Sequence, residues 1–159
     1  MIWNASTNDV MKNLLNHDDR TAILDRLQHL TPQHSGKWGK LTITQIIPHL
    51  TDPLRVAIHE KTGTPQKSVL YGTILGRMMY RFIPWPKGAP TDPTFLPGTG
   101  MTEPTQFEQD KQTLILTIHR FVHYNQSVAD SPVFGPMDHH DWGRLMWRHL
   151  DHHLRQFGV

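Results

Sequence analysis

Half of the chain's 12 prolines fall between Pro84 and Pro104, in FIPWPKGAPTDPTFLPGTGMTEP, with Gly88, Gly98 and Gly100 among them. Proline has no amide proton to donate and its ring clashes with the preceding turn, so this stretch is neither a helix interior nor a central strand. A segment of that length without regular structure, inside a compact domain, serves as a lid, a binding loop or a long crossover. It divides the chain into two runs, each of which must supply its own regular structure and pack against the other.

Both runs carry helical spacing. Ile23, Leu27 and Leu30 recur at i, i+4, i+7 and stop at Thr31-Pro32. Thr42-x-x-Gln45 is a capping-box pattern that opens a helix through Ile43, Ile46, Ile47, Leu50 and Leu54, with a kink expected at Pro48 and Pro53. Residues 67 to 83 carry Val69, Ile74, Met78, Met79 and Phe82 and predict a shorter helix, interrupted by Gly72 and Gly76. Thr105-x-x-Glu108 caps the next, with Phe107, Leu114, Ile118, Phe121 and Val122 on one face. The last begins at Asp138 and runs to Phe157-Gly158, where the glycine is a natural stop. A further short turn of helix is expected over Val10 to Leu15. Period-two alternation is scarce, so the fold class is all-α. Four long helices, joined by short loops except for one Pro-rich crossover that contains a short helix, predict a four-helix bundle. A length of 159 residues suits a single domain spanning 1–159.

Composition then limits the chemistry. The chain has no Cys and 12 His, so a transition metal would be held by imidazole and carboxylate, and a thiol nucleophile would have to come from a substrate. Its 16 Lys and Arg against 14 Asp and Glu are mixed along the chain rather than gathered in a stripe, which argues against nucleic acid as a partner. The opening MIWNASTNDVMKNLL lacks the basic and apolar blocks of a secretory leader, and no run of about 18 apolar residues is present to span a membrane. A soluble, cytoplasmic protein with no membrane partner is expected. Gly-rich phosphate loops, G-x-S-x-G elbows and H-E-x-x-H are absent.

Two H-x-x-x-H pairs occur, His119/His123 and His149/His153. Such a pair on a helix stacks two imidazoles on one face, at a separation that suits one shared divalent ion, but about one pair is expected by chance at this His content. The face decides between them. At about 100° per residue, His149 and His153 fall inside the arc of Trp142, Leu145, Met146, Leu150 and Phe157, with Arg144, Arg148, Asp151 and Arg155 opposite and His152 toward the flank. His119 and His123 fall on the far side from Leu114 and Ile118. Two inward imidazoles need partners, because an unpaired buried polar group costs about 1–3 kcal/mol; a shared metal answers that need, and so do hydrogen bonds to buried carboxylates or waters. From a second helix, His49 in IIPHLTDPL is a candidate ligand at the edge of its apolar arc, alternatively a partner for the carbonyl freed by Pro48. Asp52, one turn on, is a candidate acceptor for an imidazole proton. Trp85, between Pro84 and Pro86, reads equally as core filling or as the wall of a pocket mouth; Trp142 and the methionines Met78, Met79 and Met146 read as packing.

The strings WGKLTITQIIPHLTDPLRVAI at 38–58, PWPKGAP at 84–90 and FGPMDHHDWGRLMWRHLDHHLRQFGV at 134–159 resemble a bacterial family of uncharacterised proteins in the DinB/YfiT-like superfamily. The resemblance runs from about Asp18 to the C-terminus and implies an up-down-down-up bundle whose crossover joins two parallel middle helices. It further implies a three-His metal site, matched here by His49, His149 and His153, with a departure from the pattern at Pro48. Characterised relatives include transferases and isomerases that use bacillithiol or mycothiol, and proteins described as metal-dependent hydrolases. The expectation is therefore a divalent ion, Zn or Ni first and Fe or Mn after, that activates a low-molecular-weight thiol cosubstrate for transfer to a small-molecule electrophile. A metal-dependent hydrolase and a non-catalytic metal- or ligand-binding bundle are the rivals. No catalytic residue beyond the ligands is identifiable, and a homodimer stays open.

Overall fold

The computed structural model describes residues 12–66, 68–83, 85–87 and 95–159. Among these residues there are five α-helices: α1 (His17–His29), α2 (Ile43–Ala57), α3 (Ile74–Arg81), α4 (Phe107–Val122) and α5 (His139–Phe157). Among the described residues there is no strand, only an isolated antiparallel bridge between Ser131 and Gly135. No helix among the described residues is long and apolar enough to cross a membrane. Helix α2 packs against α4 and α5, and α5 also receives α1 and α3.

The caps follow from side chains that satisfy amides left free at a first turn. Asn16 accepts from the Asp19 amide, Thr42 and Gln45 form the expected reciprocal box, and Asp138 accepts from the Asp141 amide. Helix α5 ends as expected at Gly158, which takes the left-handed conformation (φ 87°). The box expected at Thr105 and Glu108 does not form. Helix α4 starts one residue later, after Gln106, and the Asp110 carboxylate reaches back to accept from the Thr105 amide (2.8 Å) and hydroxyl (2.7 Å). Asp110 outcompetes Glu108 because one carboxylate there satisfies two donors at once.

Helix α2 runs through Pro48 and Pro53, and every residue from Ile46 to Leu54 is buried. A helix enclosed on all sides has no polar arc, so the edge position of His49 on a wheel carries no information about its exposure. The wheel for α5 does hold: Trp142, Met146 and Leu150 are fully buried together with Leu114, Ile118 and Phe121 of α4. Its polar arc is covered rather than solvated. Asp151 pairs with Arg26 of α1 (2.6 Å) and Arg155 (3.0 Å), and the Arg148 guanidinium donates to the carbonyls of Met79, Tyr80 and Ile83 at the end of α3.

Helix α3 is shorter than the 67–83 expected and turned the other way. Lys67 lies outside the described residues, 68–72 form turns, and Val69, Ile74, Met78 and Phe82 are largely exposed, so Met78 is not core packing. The buried face carries Gly76 and Tyr80. Polar anchoring sets this rotation: the Tyr80 hydroxyl donates to Asp141 (2.9 Å) and Arg81 clasps the same carboxylate from both sides of its fork. Of the turn expected at Val10 to Leu15, Val10 and Met11 lie outside the described residues, and Leu14 and Leu15 form a turn that leads into α1.

Candidate metal centre

Helix α2 supplies His49 and α5 supplies His149 and His153, and the three rings meet in a near-equilateral triangle with centroid separations of 4.8, 4.9 and 4.8 Å. Each ring offers one nitrogen to the centre, and these nitrogens all lie within 4.8 Å of one another. His49 Nε2 and His149 Nε2 are 3.0 Å apart. His119 on α4 and His123 at its C-cap are exposed, and the His123 ring bonds the His119 carbonyl (2.8 Å).

The outer nitrogens fix which atoms face inward. His49 Nδ1 lies 3.0 Å from the Phe95 carbonyl in the crossover, and His153 Nδ1 lies 2.7 Å from Gln156 Oε1. Both partners only accept, so both rings carry their proton on Nδ1 and present a lone pair at Nε2. With the His49 lone pair aimed at His149 Nε2, the metal-free chain needs a proton on His149 between them, and a cation satisfies the same geometry without it. Once that His149 proton moves to its Nδ1, three neutral imidazoles, two of them held from behind, turn lone pairs inward and form a donor set that fits a divalent transition metal ion.

Burial keeps these rings uncharged. Desolvation pushes His149 well below its ordinary pKa, with repulsion from His153, His49 and His152 adding to it. His153 is pushed down to about 3 by burial and then by His49, against the opposing Gln156 hydrogen bond. Burial also lowers His49, partly offset by the Phe95 carbonyl and the Asp52 charge. A ligating imidazole must be neutral, so none of these rings has to lose a charge at pH 7 for an ion to enter, and His149 has only to shift its proton off the inward nitrogen.

A family model described as "Protein of unknown function (DUF1569)" matches residues 10–158. The chain belongs to this family. No curated protein and no solved structure matches it.

In this DUF1569 chain the His triangle opens on a cavity of about 1000 Å³. Trp85, Phe95, Leu145, Met146 and Phe134 give it apolar walls, and no Asp or Glu is among its described lining residues. Trp85 stands 5.5 Å from the His149 ring, centroid to centroid, and meets both readings: it lines the cavity and packs, half-buried, against the core. His152 sits at the flank, 5.0 Å from the His153 ring and between Trp38 and Trp85.

Asp52 does not take the role of an imidazole acceptor. It is fully buried and accepts from Lys61 Nζ (2.8 Å) and from the Thr102 amide (2.8 Å) and hydroxyl (2.7 Å), while Lys61 reaches on to the Gly100 carbonyl (2.7 Å). Those bonds fasten the far end of the crossover to α2, and the Phe95 carbonyl, nearer its middle, accepts the hydrogen bond from His49 Nδ1 in Asp52's place. Two contributors escaped the sequence reading. The Phe95 carbonyl has no sequence signal, since any residue has a carbonyl. Gln156 does have one: it lies at i+3 from His153 and at about 320° on the same wheel, a polar amide inside the apolar arc.

Proposed function

We propose that the chain is a metal-dependent enzyme, DinB-like in its up-down-down-up bundle, that activates a low-molecular-weight thiol cosubstrate so that the intact thiol is transferred, through its sulfur, to an apolar small-molecule electrophile. The observation that carries this is the convergence of three neutral imidazoles, backed by Phe95 and Gln156, on the wall of a large apolar cavity. His49, His149 and His153 would hold the ion, Zn or Ni by preference for imidazole. A divalent ion bound there supplies the charge that keeps a thiol as its reactive thiolate at neutral pH.

The chain's own residues supply the rest. Leu145, Met146, Phe95 and Trp85 shed water around an apolar substrate body, which strengthens every electrostatic contact at the His triangle. Lys40 is the one cation on the described lining, on the side of Trp38 and Gly39, and it favours an anionic cosubstrate entering there. Hydrolysis is less well supported, because it wants a carboxylate base near the attacking water and the described lining holds none.

The test begins with elemental analysis of protein purified without a His tag and supplemented with Zn, Ni, Fe or Mn. Near-stoichiometric retention is expected; below about a tenth of an equivalent of every metal, the enzyme reading fails. Loaded protein is then offered an aromatic electrophile with and without bacillithiol or mycothiol. Turnover that requires the thiol supports the transferase, whereas equal turnover without it supports hydrolysis.

A further inference from the structure

Gln156 sits where two parts of the molecule meet. It is buried in the last turn of α5, at 3 % exposure. Its amide nitrogen donates to the Trp38 carbonyl, and its Oε1 faces His153 Nδ1 at 2.7 Å. Its backbone carbonyl accepts from the Lys37 amide (2.8 Å). An amide can be turned either way in principle, but the Trp38 carbonyl only accepts, so it takes the NH₂ end and leaves the oxygen for His153. Space for this arrangement is provided by Gly39, which lies at φ +80° and whose Cβ, if present, would overlap the Gln156 amide nitrogen.

We infer that Gln156 is a positioning residue that sets the His153 tautomer, holding the proton on Nδ1 so that Nε2 is the metal-ligating atom. This deepens the three-His reading above and rests on it for the word metal. The orientation of the imidazole does not. The chain of contacts runs from the Trp38 carbonyl through the Gln156 amide to the His153 ring, so the loop at 37–39, which walls the cavity, and the ligand atom are held by one side chain. A ring without such a backing partner divides between two tautomers, of which only one points a lone pair inward, and loss of a partner of this kind typically costs 10–100-fold in metal affinity.

Two variants separate positioning from simple tethering. Gln156→Met removes both the donor to Trp38 and the acceptor for His153. Gln156→Glu, ionised, also loses the donor but keeps an acceptor for the His153 proton. Positioning predicts that Zn²⁺ affinity, measured on full-length protein against a competing chelator, falls about 10–100-fold in Gln156→Met and stays within about threefold of wild type in Gln156→Glu. Equal losses in the two variants, or unchanged affinity in Gln156→Met, would overturn the assignment.

A second readout needs no metal: long-range ¹H–¹⁵N correlation spectra of the chelator-treated chain report which ring nitrogen of His153 is protonated. The wild type and Gln156→Glu are expected to show the proton on Nδ1, and Gln156→Met a shift toward Nε2. A wild-type ring protonated on Nε2 ends the proposal even if Zn²⁺ binds. If the wild type binds no Zn²⁺ yet shows the Nδ1 tautomer, the metal reading fails and the role of Gln156 in orienting the ring stands.

Discussion

The histidine pairs have one spacing and opposite surroundings, which makes them a matched test of the site. His149→Ala and His153→Ala are each expected to remove at least nine-tenths of the retained Zn, because two imidazoles on a mobile ion leave most of the chelate lost. His119→Ala and His123→Ala, exposed rings on the last turn and C-cap of α4, should leave retention unchanged, with elemental analysis of all four variants as the measurement. The same rings make stability sensitive to acid. His49, His149 and His153 bind a proton less readily in the folded chain than in the unfolded one, so the unfolded chain takes up more protons as the pH falls through about 6.5. Folding stability therefore rises with pH across that window and is lost progressively from pH ~6.5 down toward 3, near the folded value of His153. Thermal melts of chelator-treated protein should show Tm falling steadily from pH 7 to pH 5; a flat Tm over that range would contradict neutral buried rings.

Among the elements, the crossover and α3 are each fastened by a carboxylate as well as by a buried ring, Phe95 and Tyr80. Asp52 has no exposure and serves three donors from Lys61 and Thr102. Asp52→Ala leaves the Lys61 ammonium and the Thr102 amide without that partner, a loss of about 2–4 kcal/mol on urea denaturation. Hydrogen exchange should accelerate at the Thr102 amide well beyond the change at Leu150, which lies in the core. Asp141 does for α3 what Asp52 does for the crossover, through Tyr80 and Arg81. This is why the hydrophobic spacing of residues 67–83 misjudged the rotation of α3: a short helix with one phenol and one guanidinium aimed at a single carboxylate follows those bonds, and its Ile74, Met78 and Phe82 are left outside. Hydrophobic periodicity is a sound guide to rotation where the apolar face is the main contact, as on α5, and a poor one where two charge-assisted bonds dominate over eight residues.

At the scale of the whole molecule, the cavity and the His triangle are separable. Leu145 lines the cavity with a side chain that offers no ligand atom and no hydrogen bond, so Leu145→Trp should fill the space and weaken binding of an apolar fluorophore at least tenfold while Zn content stays at the wild-type level. Fluorescence titration and elemental analysis on one preparation check both halves of that expectation. A joint loss would mean that cavity and metal centre collapse together.

By itself the sequence determined the all-helical class, the Thr42 and Asp138 starts, the Gly158 stop and the inward face of His149 and His153, because each depends on neighbours within one or two turns. Only the tertiary structure decided that His49 joins them, since α2 is enclosed on every side and a wheel drawn for one solvent-facing helix has no meaning there. It also decided that His49 is backed by the Phe95 carbonyl rather than by Asp52, that Gln156 links His153 to Trp38, and that α3 turns its aliphatic side outward. The physical reason is common to all of these. Caps and faces are set by bonds within a turn, whereas the partner of a buried polar group is whichever acceptor the packing of distant segments brings within about 3 Å of it.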